Sequence, residues 1–106
     1  MQNNTQIIDK EDLKEKIQQL INEKYPLIEK VILFGSYSRG DMDEKSDIDL
    51  FISKPDRVPA EYVLCLIEDL RNLYNKNIDL FRGVDVDKKS NFYNSIMSEG
   101  SVVYAR

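Results

Sequence analysis

Two acidic residues, Asp47 and Asp49, stand on either side of an isoleucine at the start of an apolar run that ends at Ile52. Residues two apart on a β-strand project from the same face, so this spacing predicts two carboxylates side by side. Two like charges this close repel each other unless one is protonated or a cation lies between them. Since Mg²⁺ takes oxygen ligands of this kind, the pair indicates a metal site. Acidic pairs are also common on solvated strand edges, and for the pair alone this alternative stays open.

A glycine and a serine, Gly35 and Ser36, end an earlier apolar run. A strand that passes through Gly-Ser into a short helix exposes backbone N–H groups and a hydroxyl, which together can bind an anion. Gly35 would let the backbone approach a phosphate closely, and Ser36 could donate a hydrogen bond to it. An ordinary Gly-Ser turn is the alternative. Arg39 can either steady a phosphate or form an ion pair with Asp41 or Asp43.

A third acid, Asp79, lies between Ile78 and Leu80 in the next predicted strand, in the same local context as Asp49. If these two strands are neighbours, the third carboxylate joins the other two on one face of the sheet. Ten residues separate the Gly-Ser pair from Asp47. Three carboxylates that can hold one or two Mg²⁺ ions beside an anion-binding turn are what phosphoryl and nucleotidyl transfer requires.

The elements that must position these residues are predicted from the spacing of apolar residues. We expect a helix from Asp9 to Pro26, strands at 31–34 and 47–52, a helix from Pro59 to Tyr74, a strand at 78–81, a helix at 92–97 closed by Gly100, and a strand at 102–104. Helices that alternate with strands indicate an α/β layer architecture. The first eight residues lack a period, so we expect a loose arm on a single domain that spans residues 1–106.

Composition excludes several other chemistries. The 106 residues include no His and a single Cys, which excludes Ser-His-Asp and Cys-His catalysis, the usual tetrahedral zinc sites and disulfides. Fifteen basic residues are interleaved with 19 acidic ones, for a net charge of −4, so we expect neither nucleic acid nor a membrane as a direct partner. The lone Cys and the lack of a long apolar run predict a soluble cytoplasmic protein. Cys65 is expected to be a core or interface thiol, and Tyr37 to pack rather than to flank a nucleotide.

The segment LFGSYSRGDMDEKSDIDLFI resembles the signature of the polymerase-beta-like nucleotidyltransferases, which is Gly-Ser, ten residues and Asp-x-Asp. More specifically, it is similar to the minimal nucleotidyltransferases (MNT) that act as antitoxins to HEPN toxins. The resemblance extends through NIDLF to the closing SEGSVVYAR, and it differs at Ser38, where the family usually has alanine. It implies a short mixed sheet of about four strands backed by helices.

The resemblance also implies a function and a set of site residues. ATP would be the substrate, and Mg²⁺ would be held by the three acids, with Asp79 helping to activate the acceptor hydroxyl. AMP would pass to a tyrosine of a HEPN-type RNase toxin, with which the chain would form a hetero-oligomer. Two alternatives stay open, an antitoxin that inhibits its toxin by occlusion and an enzyme that modifies a small molecule. The implied catalytic and metal-binding residues are Asp47, Asp49 and Asp79, and the implied nucleotide-binding residues are Gly35, Ser36, Arg39 and Ser46.

Overall fold

A computed structural model of the chain describes residues 8–43, 45–53 and 58–106. The elements are α1 (Lys10–Lys24), β1 (Lys30–Phe34), α2 (Ser36–Arg39), β2 (Ile48–Ser53), α3 (Ala60–Tyr74), β3 (Ile78–Arg82), a 3₁₀ turn (Gly83–Asp85), α4 (Asn91–Glu99) and β4 (Ser101–Ala105). Each long helix and each strand lies within two residues of its expected bounds. Asp47 is a small but relevant difference, because it precedes β2 instead of lying in it.

The four strands form one mixed sheet in the order β3-β2-β1-β4. Strand β1 is antiparallel to both β2 and β4, whereas β2 and β3 run parallel. This confirms the expected short mixed sheet. It also confirms that the strands of Asp49 and Asp79 are neighbours, since these two residues are register partners.

One face of the sheet is closed by α1 and α3. The inward residues alternate along each strand and recur every three or four positions along each helix, as burial of one face requires. They form one continuous apolar core, which includes Leu13, Ile17 and Ile21 of α1, Leu66 and Leu70 of α3, and Val31, Leu33, Ile48, Leu50, Ile52 and Val103 of the sheet.

Among the described residues, α4 is the helix that packs on the opposite face. Its smaller core gathers around Ile96 and is largely aromatic. The rings of Phe34, Phe81 and Phe92 meet edge to face or tilted, with centroids 5.3–6.0 Å apart. Asp49 lies on this face because it alternates with the inward Leu50 of the other core. The incomplete cover leaves room for a site beside α4.

Two expectations about burial are wrong. Ile8, assigned to the loose arm, is buried in the main core, and its backbone N–H donates to the hydroxyl of Tyr37 at 3.4 Å; residues 1–7 lie outside the described part of the chain. Cys65 is exposed, because Leu66 and Leu70 occupy the inward side of α3, so it is not a core thiol. Tyr37 is fully buried, which confirms that it packs.

Among the residues that the structure describes, no helix has the length and apolar character needed to cross a membrane.

Candidate active site

The carboxyl groups of Asp49 and Asp79 meet on the face of the sheet that α4 covers. The two residues are register partners on parallel strands. Partial burial, hydrogen bonding to Asp79, and the charges of Asp79 and Asp47 raise the pKa of Asp49 to about 6, although Arg39 acts in the opposite sense. Such a pair requires a proton or a cation between its oxygens. The pair is therefore held in place by the sheet despite its own repulsion.

Asp47 lies one residue before β2 and is exposed. Its charge contributes to the raised pKa of Asp49, so it is close enough to act on the pair. Within residues 8–43, 45–53 and 58–106, however, no three acidic, His or Cys side chains converge into a preformed metal site. The structure thus unites two of the three predicted acids and leaves the third beside them.

Gly35 brings the Gly-Ser turn directly against the acidic pair. Its φ of 74° lies in the region that favours glycine. A Cβ atom at this position would collide with Oδ2 of Asp49. The sequence therefore needs glycine here for two reasons, the backbone conformation and the close approach of the acid. Ser36 follows as the first residue of α2, where backbone N–H groups lack intrahelical acceptors.

A cleft of about 390 Å³ lies between this turn and α4. This volume is within the usual range of ligand pockets, ~300–1,000 Å³. One side is formed by Phe34, Gly35, Ser36, Arg39 and Asp49, and the other by Phe92, Ser95, Ile96 and Glu99 of α4. The four residues of α4 were given no functional role by the sequence analysis. Their spacing of three, one and three residues places them on a single face of the helix. The mixture of apolar and polar side chains on that face is the sequence feature that could have indicated a site.

Arg39 forms the ion pair with Asp41 that its sequence position allowed, and it also borders the cleft. It lines the cleft, and its Nε lies 3.1 Å from Oδ2 of Asp41, while one terminal nitrogen lies 3.7 Å from Oε1 of Glu99. The hydrogen bond to Asp41, followed by the charge of that residue, raises the pKa of Arg39 above its usual value. A cationic side chain thus stands at the edge of the cleft, held by two exposed acids.

Ser46 is not brought into the lining of this cleft. Its hydroxyl accepts a hydrogen bond from the N–H of Asp43 at 2.8 Å and donates to Oδ1 of the same residue at 3.2 Å. The side chain therefore serves the turn that leads to Asp47. Its contact with nucleotide stays a prediction.

Comparisons with known proteins agree with this architecture. The family model for polymerase beta nucleotidyltransferases matches residues 15–106. A relative from Methanocaldococcus jannaschii, named "Putative protein adenylyltransferase MJ0604", is 36% identical over 96 residues, which are 87% of this chain and 94% of the relative.

Solved structures show the same fold at lower identity. A toxin-antitoxin crystal structure with AMP-PNP has a TM-score of 0.73 at 22% identity, over 88% of this chain and 73% of the other. A complex of tri-AMPylated Shewanella oneidensis HEPN toxin with MNT antitoxin has a TM-score of 0.69 at 19% identity, over 92% and 74%. The family match covers most of the chain and includes the Gly-Ser turn and all three acids. The chain therefore belongs to the polymerase beta family of nucleotidyltransferases.

Proposed function

We propose that this nucleotidyltransferase moves AMP from ATP to a tyrosine hydroxyl of a partner HEPN RNase toxin in a reaction that depends on Mg²⁺. The observation that carries the proposal is the register pair Asp49–Asp79, with Asp49 directly against the turn at Gly35. The pair supplies oxygen ligands and the turn supplies a place for phosphates. Both are needed for nucleotidyl transfer, and both border one cleft.

The chemistry of the donor set fits a hard divalent cation. Asp49 and Asp79 are register partners on neighbouring strands, and Asp47 adds a third carboxylate whose charge acts on Asp49. We assign Mg²⁺ binding to these three acids. When bound, the ion would neutralise the triphosphate and the leaving pyrophosphate.

The remaining roles belong to side chains and backbone around the cleft. The N–H groups after Gly35 and the hydroxyl of Ser36 would hold phosphate oxygens, with Arg39 adding positive charge at the edge. Asp79, which is exposed on β3, can accept the proton of an incoming hydroxyl. Ser46 would join these groups only if the Asp43–Ser46 turn opens.

The choice of acceptor and partner is supported by the similar proteins. The M. jannaschii relative is named as a protein adenylyltransferase, and the similar solved structures are complexes of toxin with antitoxin, one of them with an AMPylated toxin. We extend both features to this chain, which would then form a hetero-oligomer with its toxin. A single Cys, which can form no disulfide within the chain, supports the cytoplasmic location that we propose.

The experiment that tests the proposal is transfer of label from α-³²P-ATP to a purified HEPN toxin in the presence of Mg²⁺. We expect label on a toxin tyrosine, and loss of that label in Asp47→Asn/Asp49→Asn or with EDTA. Glu15→Gln, which changes an exposed acid of α1, is the matched control and should label normally. Equal labelling by the double variant would refute the proposed site.

A second candidate is a binding antitoxin that occludes its toxin without catalysis. The observation that favours it is that the three acids do not converge into a preformed metal site in the described residues. The two candidates differ in an RNase inhibition assay without nucleotide. Occlusion predicts stoichiometric inhibition by Asp47→Asn/Asp49→Asn, whereas the enzymatic account predicts none.

A further inference from the structure

We infer that Lys10, Ser101 and Ser38 form a hydrogen-bonded bracket that holds α2, and with it the Gly-Ser turn, in position for nucleotide. They are positioning residues that act through the turn without touching the reacting atoms. The inference rests on the proposed function for its effect on catalysis. Its structural part can be tested without any activity.

The hydrogen bonds of the bracket run from donor to acceptor in one direction, from Lys10 through Ser101 and Ser38 to Glu99. The hydroxyl of Ser38 donates to the backbone carbonyl of Glu99 at 2.7 Å, so its only proton is used there. Ser101 must then be the donor in the 2.9 Å contact between the two hydroxyls. The ammonium group of Lys10 donates to Ser101 Oγ at 3.0 Å and to the carbonyl of Ser38 at 3.5 Å. A charged donor thus begins a chain that ends on the carbonyl at the end of α4.

Helix α2 depends on such contacts because it has only four residues. A helix this short has no independent stability in water. On one side it is fixed by Tyr37, which is fully buried and whose hydroxyl accepts the N–H of Ile8. On the other side the bracket ties it to the junction of α4 and β4. Ile8, two residues before α1, reaches one side, and Lys10, the first residue of α1, reaches the other.

The junction that receives the bracket is itself tightly fixed. A Cβ atom at Gly100 would collide with Ile32 Cγ2 of β1 and with the carbonyl of Ile96. The carbonyl of Glu99 is thereby anchored to the sheet that carries Asp49. The bracket thus links the two sides of the cleft, since Ser36 lies in α2 and Glu99 in α4.

The hydroxyl of Ser38 is the part of this side chain that links α2 to α4 and β4. Alanine at this position would occupy a similar small space but would lack that hydroxyl. The change Ser38→Ala therefore removes the link with little change in volume.

The kinetic test compares Ser38→Ala and Lys10→Met with the wild-type chain in complex with its acceptor. One lost hydrogen bond in the bracket should raise KM for ATP about 3- to 10-fold and change kcat less than about twofold. The double variant should show about the same KM as the worse single variant, because both changes break one chain of contacts. Ser38→Thr restores the hydroxyl and should restore KM.

Matched controls come from the same helices. Lys14 lies one turn further along α1, beside Glu11, Glu15 and Gln18. Ser98 lies on α4, and its hydroxyl donates a hydrogen bond to the carbonyl of Ser95 in the same helix. Lys14→Met and Ser98→Ala should leave KM unchanged. If they raise KM as much as the bracket variants do, the effect is general destabilisation and the inference is overturned.

Amide hydrogen exchange at residues 36–39 tests the bracket without catalysis. Exchange should be faster in Ser38→Ala than in the wild-type chain or in Ser98→Ala. Faster exchange together with a wild-type chain that transfers no AMP would leave the bracket standing and remove the proposed function. Unchanged exchange and unchanged KM in Ser38→Ala would overturn the bracket.

Discussion

Two partly buried acids on opposite faces of the sheet are treated in opposite ways. Asp69 lies between α1 and α3, where burial disfavours its charge but hydrogen bonds from Tyr25 Oη, at 2.5 Å, and from Lys24 hold its pKa below the usual value. Asp49 faces α4, where burial and a second carboxyl group raise its pKa. Asp69 therefore has hydrogen-bond donors around its carboxylate, whereas Asp49 lies beside a second carboxyl group. Strongly perturbed groups in a cleft mark functional sites, and this contrast locates the site on the α4 face.

The largest expected effect comes from removing the acid that faces a second acid. Under the proposed function, Asp49→Asn should lower the rate of AMP transfer about 1000-fold or more, since a metal-binding carboxylate would supply several kcal/mol of transition-state stabilisation. Its free energy of unfolding at pH 7 should not fall, because a repulsive contact is lost. Asp69→Asn should do the reverse, with transfer retained and stability lower by about 1 kcal/mol. Single-turnover labelling and urea unfolding of both variants measure the contrast, and similar profiles would remove it.

Substitutions on the face that α1 and α3 cover should change the free energy of unfolding rather than the chemistry of the site. Leu50 is fully buried between the sheet and the helices, so Leu50→Ala should cost about 2–5 kcal/mol in the free energy of unfolding. Leu64→Ala, at a side chain that is 68% exposed on α3, should cost less than about 0.5 kcal/mol. Urea unfolding distinguishes the two. A small loss for Leu50→Ala would mean that the α1–α3 face does not carry the fold.

Gly35 and Gly40 offer a matched pair of substitutions beside the cleft. Both have positive φ values, 74° and 85°, but only a Cβ at Gly35 meets Asp49, and nothing lies within 4 Å of one at Gly40. Each change to alanine should cost about 1 kcal/mol of stability for the backbone conformation. Gly35→Ala should also lower transfer about tenfold or more by displacing the acid, since small misplacements of reacting groups are costly. Equal activity in the two variants would contradict the close approach of turn and acid.

The raised pKa of Asp49 predicts a pH dependence of stability. It rises from 3.8 to about 6 in the folded chain, so over that interval Asp49 is protonated in the folded state and ionised in the unfolded state. Stability should therefore fall as the pH rises from about 4 to about 6, by about 1–2 kcal/mol once solvent screening is considered. Asp49→Asn should lack this fall. Urea unfolding at pH 4.5 and pH 7 checks the difference, and parallel curves would refute it.

The smallest effect is expected at Cys65, whose side chain is exposed on α3 and does not pack in the core. Cys65→Ser should change the free energy of unfolding by less than about 0.5 kcal/mol and leave AMP transfer intact. A loss of toxin binding in this variant would instead support an interface role for the thiol.

The sequence predicted the positions of the helices and strands well, because period and turn residues are local properties. The alternation of side chains predicted that Asp49 and Leu50 lie on opposite faces of the sheet. The next predicted strand has the same Ile-Asp-Leu sequence, which predicted that Asp79 lies beside Asp49 if the strands are neighbours. The motif also located the turn at Gly35, and the structure added the reason, which is the contact with the acid itself.

What the sequence did not reveal depends on contacts between distant residues. The sequence did not show that the hydroxyl of Ser46, predicted to bind nucleotide, forms hydrogen bonds with Asp43. Cys65 was predicted to lie in the core or at an interface, and the helix rotation set by Leu66 and Leu70 turns it outward, so the core alternative is wrong. The side of the cleft that α4 forms and the bracket of Lys10, Ser38 and Ser101 were also missed. They bring together segments that are far apart in the sequence, up to 91 residues for Lys10 and Ser101, so no local pattern could show them.

The most direct test of the central claim, that the acids on the α4 face form an Mg²⁺-nucleotide site, is an NMR titration of the chain with Mg²⁺ and a non-hydrolysable ATP analogue. The account predicts shifts at the amides of Gly35, Ser36, Asp49 and Asp79 that depend on Mg²⁺, with Leu66 and Leu70 on the closed face unaffected. Shifts concentrated on α1 and α3, or none at millimolar ligand, would contradict it.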